Sequence, residues 1–154
     1  VREVLTQGFI AGYPMQDIKV TVYDGKSHPV DSKEVAFVAA GRKAMLDALA
    51  KASPTLLEPI AKLTITAPTV TLGDIAGDLA SRRGQVLNTV ATSSTSMEIL
   101  ATVPLAEMDG YAARLNAMTQ GAAVFTFEFY AYQPAPMQKQ QELAAKYQRK
   151  DEDD

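Results

Sequence analysis

The sequence has no cysteine and a single histidine in 154 residues. Without cysteine there is no disulfide and no thiolate metal site, and a reducing compartment fits. With one histidine, multi-histidine metal centres and His-paired triads are excluded, and no nucleophile–base set can be assembled from this inventory. Long apolar runs are missing as well, since none approaches the roughly 20 residues that cross a bilayer. Arg2 and Glu3 interrupt the first apolar residues, which rules out a signal peptide there. Basic excess is also lacking. A formal charge of -3 and a pI near 5.2 argue against free-standing nucleic-acid binding. Any RNA contact must come from a local patch, with help from other parts of an assembly.

What remains is ordinary globular material, 47% hydrophobic, enough for one domain or two small ones. Val1–Gly8 reads as the end of a helix closed by glycine. Asp17-Ile-Lys-Val-Thr-Val-Tyr23 alternates apolar and polar residues and predicts a half-buried strand. Asp24-Gly25 turns the chain into a polar loop holding Lys26, Ser27, His28 and Pro29. Asp31 and Glu34 have capping-box spacing. The helix they open carries Val35, Val38, Met45, Leu46 and Leu49 on one stripe and stops at Ser53-Pro54. One strand and one helix cannot bury both apolar faces or satisfy the sheet edges. Residues 1–53 therefore read as the back half of a domain, and Val1 in place of Met fits a chain that begins inside something longer.

Residues 54–134 read as a complete domain. Ile60–Ala67 is a strand, and a helix capped by Thr71, with Asp74 in its first turn, runs through Ile75 and Leu79 to Gly84. Strands 85–91 and 97–103 flank the turn Thr92–Ser96. Pro104 opens a second helix whose buried face is Leu105, Met108, Tyr111, Leu115 and Met118, closed by Gly121. A last strand, Ala123–Tyr130, places Phe125, Phe127 and Phe129 on one side. The order β-α-β-β-α-β over about 75 residues is the ferredoxin-like split βαβ, an α+β sandwich with two helices on one face of the sheet. Residues 135–154 form a polar tail, read as a frayed solvent helix ending in an acidic tip.

Few residues invite chemistry. Gly25-Lys26-Ser27 resembles the end of a phosphate loop, but position 20 is Val where glycine is needed, and Pro29 delays the helix. Asp74 suits a helix N-terminus, and Asp78 reads as a solvated or locally paired charge. Arg82 and Arg83 are either charges favoured at a helix C-terminus or phosphate contacts. His28 projects from a loop set by Gly25 and Pro29 beside Lys26, from which it can reach a phosphate or base edge.

Several separated motifs resemble one family. Leu57-Glu58-Pro59-Ile60, Gly73-Asp74-Ile75, Gly77-Asp78-Leu79 and Arg82-Arg83-Gly84-Gln85-Val86 look like the last domain of elongation factor G. Val103-Pro104-Leu105-Ala106-Glu107-Met108, Gly110-Tyr111 and Thr119-Gln120-Gly121 continue the match. Asp17-Ile-Lys-Val20, Tyr23-Asp24-Gly25, His28 and Val30-Asp31-Ser32 resemble the domain before it. The resemblance implies that 1–53 is the end of domain IV, a partial ribosomal-S5-domain-2-like βα segment, and that 54–134 is domain V. It implies a cytoplasmic, non-catalytic portion of a translational GTPase. The GTP-binding domain would lie upstream, and this stretch would hold no cofactor or metal. The partners implied are the ribosome and the upstream domains of the parent chain. The ribosomal surfaces are ribosomal RNA, tRNA–mRNA near the decoding site, and proteins near the GTPase-associated centre. No membrane is involved.

Lys26, Ser27 and His28 match the tip of domain IV and, with Arg82 and Arg83, are the candidate RNA contacts. Ser27, Pro29 and the turn Thr92–Ser96 depart from the family pattern. A paralogous recycling or protection factor therefore stands beside the translocase reading. A small-molecule regulatory module on the same ferredoxin-like fold is the third reading.

Overall fold

The structure is a computed structural model describing residues 1–30 and 33–147. Its helices are α1 (Arg2–Gln7), α2 (Glu34–Lys51), α3 (Leu72–Ser81), α4 (Tyr111–Thr119) and α5 (Met137–Lys146). Its strands are β1 (Leu57–Pro68), β2 (Gln85–Ala91), β3 (Ser96–Pro104) and β4 (Val124–Pro134). The chain divides into two compact units, Leu57–Pro134 and the remainder on either side of it.

The unit Leu57–Pro134 is a four-stranded antiparallel sheet ordered β2-β3-β1-β4. Period-2 alternation sets its register: Leu63 lies opposite Ala101 and Ile65 opposite Ile99, so the odd-numbered residues of both strands share one face. On that face Ala61, Leu63, Ile65, Met97, Ile99 and Val103 are buried against Ile75 and Leu79 of α3 and Tyr111 and Leu115 of α4. Each large aliphatic side chain in this core contributes about 1.5–3 kcal/mol by leaving water. Of the alternate residues of the central strands, which face away from the helices, Lys62, Thr64, Thr66, Glu98 and Thr102 are polar and Ile60 and Leu100 are apolar. Architecture and element order are the expected α+β, βαββαβ arrangement.

Two helix boundaries differ from expectation. Thr71 does not cap α3 with its side chain; its hydroxyl donates back to the Pro68 carbonyl within the 3-10 turn Thr69–Thr71. Pro104 is followed by another 3-10 turn, Leu105–Glu107, and the helix proper begins only at Tyr111, after Gly110 at φ 66°. A left-handed residue cannot continue a helix, so Gly110 divides the single element that the apolar spacing suggested.

In the other unit, Gly8 closes α1 at φ 73°, as expected. A Cβ there would come 2.1 Å from the Tyr13 carbonyl oxygen, so the position demands glycine. Val4, Met45 and Leu49 form a small core with Leu5, Phe9, Met15 and Leu46. The strand expected over Asp17–Tyr23 does not form. The alternation is present, but none of the four strands pairs with this segment, and a lone extended segment has no ladder to join. The α2 stripe is likewise covered only in its second half, with Val35 and Val38 exposed. The capping-box residue Asp31 and the acidic tip Asp151–Asp154 lie outside the described residues. The tail helix departs from the frayed solvent helix of the sequence reading. Gln140, Leu143 and Ala144 of α5, with Tyr147 just beyond it, are half-buried, and the segment groups with the N-terminal unit.

Candidate functional site

The candidate contacts fall in two places, one in each unit. Lys26, Ser27 and His28 sit on an exposed loop. The Asp24 carboxylate accepts the Gly25 N–H at 2.8 Å, a local bond at the start of the loop. The chain turns at Pro29-Val30. Just before the loop, Tyr23 is 95% exposed, with Val22 also exposed. A cationic side chain, an imidazole and a free phenol ring within six residues suit contact with a single-stranded or looped RNA. Lysine meets phosphate, and the ring offers a face to a base.

Arg82 and Arg83, in the other unit, are engaged by the protein itself. Asp78, whose side chain is 8% exposed, accepts from Arg82 Nε at 2.9 Å and from Arg114 Nε at 3.0 Å. Arg82 Nη1 also donates to the carbonyls of Glu107 (2.6 Å) and Asp109 (3.1 Å), and its guanidinium lies 5.3 Å from the Tyr111 ring centroid. One side chain thereby ties α3 to the turn that precedes α4. Arg83 forms a bidentate pair with Glu58, at 2.7 and 2.9 Å, and reaches Glu107 at 3.0 Å. The Glu58 hydrogen bond raises the Arg83 pKa still further above its ordinary range. Of the two readings the sequence allows for these arginines, the geometry supplies partners for the structural one.

The backbone at this corner carries strain. The Arg83 N–H donates to Ala80 O and the Gly84 N–H to Leu79 O, the two bonds of a Schellman cap. Its left-handed residue is Arg83, at φ 59°, where glycine is usual. Gly84 is required for a different reason: a Cβ there would lie 2.9 Å from Leu79 O and 3.1 Å from Thr102 O.

Beneath the network the Tyr111 hydroxyl is buried and has no hydrogen-bond partner among the described residues. Burial, then the Asp78 charge, pushes its pKa up to about 12. The i,i+4 spacing of Asp78 and Arg82 was a usable sequence signal for this cluster. Glu58, Glu107 and Arg114, 24 to 36 residues from their partners, gave none.

Among the described residues no group of three His, Cys, Asp or Glu side chains is placed to hold a metal ion, and no helix is long and apolar enough to cross a membrane. A depression of about 110 Å³ lined by Pro59, Ile60, Ala61, Leu105, Phe127 and Phe129 is well below the 300–1,000 Å³ of small-molecule sites. It does not support the regulatory-module reading.

Comparison with known proteins gives this arrangement its context. Residues 1–53 match the family described as elongation factor G, domain IV, and residues 55–143 match elongation factor G C-terminus. The chain is also similar to a Thermus thermophilus protein of known crystal structure, at 37% identity and a TM-score of 0.78 over 93% of this chain. The alignment covers 22% of that protein, so the chain spans about a fifth of its length. The fold and the two matches define the class: a portion of a translation factor built from non-catalytic domains. The chain belongs to the elongation factor G family.

Proposed function

We propose that this chain is the C-terminal, ribosome-contacting portion of an elongation factor G-like translational GTPase that promotes tRNA–mRNA translocation in the cytoplasm. GTP binding and hydrolysis would belong to a part of the protein outside these residues. The present stretch acts mechanically, presenting the 24–30 loop to tRNA–mRNA at the decoding site. Its ferredoxin-like unit rests on ribosomal RNA and protein near the GTPase-associated centre. The observation that carries this reading is the exposed loop holding Lys26, Ser27 and His28 beside Tyr23, inside the stretch matched to domain IV. Arg82 and Arg83 then act indirectly, by holding the corner between β1, α3 and α4 rigid.

The test is single-turnover translocation on programmed ribosomes, comparing the full-length protein with its His28→Ala variant. A loss of tenfold or more in rate supports the proposal, because that is what one or two lost RNA contacts at about 1.4 kcal/mol per decade produce. An unchanged rate removes His28 from the mechanism. Ribosome-dependent GTP hydrolysis without translocation would instead identify a recycling or regulatory paralogue, the alternative that Ser27 and Pro29 keep in play.

A further inference from the structure

The family match covering the second domain runs to residue 143, yet the fold groups the residues from Ala135 onward with Val1–Leu56. The half-buried residues Gln140, Leu143, Ala144 and Tyr147 follow the i, i+3, i+4, i+7 spacing of one helix face. That face buries little apolar area, so its attachment depends on polar bonds and close fit at the two ends.

At the first end, the Gln140 carboxamide accepts the Leu56 N–H at 3.1 Å and donates to the Ala135 carbonyl at 2.8 Å. Ala135 N–H itself donates to Leu56 O at 2.9 Å. A primary amide has the donor and acceptor of a peptide group, so Gln140 adds one further rung to the Leu56–Ala135 pair. The partners Leu56 and Gln140 are 84 residues apart in sequence. At the other end the Tyr147 ring fills the space beside Gly12, where a Cβ would come 2.5 Å from Cε2. Its hydroxyl lies 3.5 Å from the Gln7 carbonyl oxygen. Gly12 is at φ 77°, a conformation that favours glycine in any case.

We propose that α5 is a strap of the N-terminal unit, clasped by Gln140 at Leu56–Ala135 and by Tyr147 at Gly12, and that the order of residues 1–15 depends on it. Gln140 and Tyr147 are positioning residues for that unit. The strap is independent of whichever ribosomal step the whole protein performs, so it stands or falls separately from the proposed function.

The experiment is amide hydrogen exchange by NMR on the full chain, with Gln140→Met, Gln140→Glu and Tyr147→Ala beside the wild type. Gln140→Met keeps the shape and removes both bonds, while Gln140→Glu keeps the acceptor and removes the donor. The Gly8 and Met15 amides, which bond to Val4 O and Leu5 O, report on the N-terminal unit; the Leu63 and Ile65 amides report on the sheet. Loss of either clasp should speed exchange at Gly8 and Met15 about tenfold, with Leu63 and Ile65 unchanged. Unchanged exchange at Gly8 and Met15 overturns the proposal. So does equal acceleration at Leu63 and Ile65, which would mean general destabilisation. If Gln140→Met does not fold, the other two variants decide by the same criteria.

Discussion

Replacing Asp78 by Asn removes one negative charge from a nearly buried position while keeping the side chain's shape. Its two partners differ in what they can recover. Arg114 is 58% exposed, so its guanidinium returns to water and that leg contributes under about 1 kcal/mol. Arg82 is 19% exposed and cannot rehydrate as freely, though it keeps the Glu107 and Asp109 carbonyls as acceptors. A charge-assisted bond in such a setting is worth roughly 1.5–3 kcal/mol. The expected loss for Asp78→Asn is therefore about 2 kcal/mol, most of it from the Arg82 leg. In a unit of this size that lowers Tm by roughly 10 °C. Equilibrium urea denaturation followed by far-ultraviolet circular dichroism measures the change. A double-mutant cycle of Asp78→Asn with Arg82→Met or Arg114→Met divides it between the legs. A total below about 0.5 kcal/mol, on the order of an ordinary surface substitution, would refute the reasoning. A stronger coupling to Arg114 than to Arg82 would refute it as well.

Other substitutions probe the same structure. Arg83→Gly relieves a left-handed residue, worth about 1–2 kcal/mol, but loses the pairs to Glu58 and Glu107. Denaturation should show a net loss of roughly 1 kcal/mol, and a gain would mean the ion pairs contribute little. Tyr111→Phe removes a buried hydroxyl with no partner among the described residues and should be neutral or stabilising by up to about 1 kcal/mol. In the wild type the raised Tyr111 pKa means that stability is fully present below pH about 10, the unfolded value. Above it the unfolded chain releases the proton first, so stability falls as pH rises toward about 12. An alkaline titration of Tyr111→Phe should show a shallower decline over that interval. Gly8→Ala forces a Cβ against Tyr13 O at a positive φ, and should cost about 2 kcal/mol or more, read as lost protection at the Met15 amide.

The sheet and its two helices were legible because period-2 and period-3.6 spacings were clean and every strand had a partner in the chain. The same alternation at Asp17–Tyr23 failed as a predictor, since periodicity states which face a strand would bury but not whether another strand is there to pair with it. The helix ends were misplaced where a left-handed residue intervened: Gly110 was readable as a breaker, while Arg83 in the glycine position was not. The exposed loop at Lys26–His28 could be located from Gly25 and Pro29. The network around Asp78 could be read only as far as its own helical turn, because Glu58, Glu107 and Arg114 enter through tertiary folding. Gln140 gave no sequence signal at all, being one glutamine among several in a polar tail.

The N-terminal unit is interrupted in the chain by the whole of the sheet unit: it is left at Leu56 and rejoined at Ala135. During synthesis the sheet unit is thus finished before α5 is made. At roughly 5–20 residues per second, residues 1–56 wait several seconds after their own synthesis before α5 exists to join them. Until then Leu56 lacks the Gln140 carboxamide and Gly12 lacks the Tyr147 ring beside it, while the small core of Val4, Met45 and Leu49 draws only on residues already made.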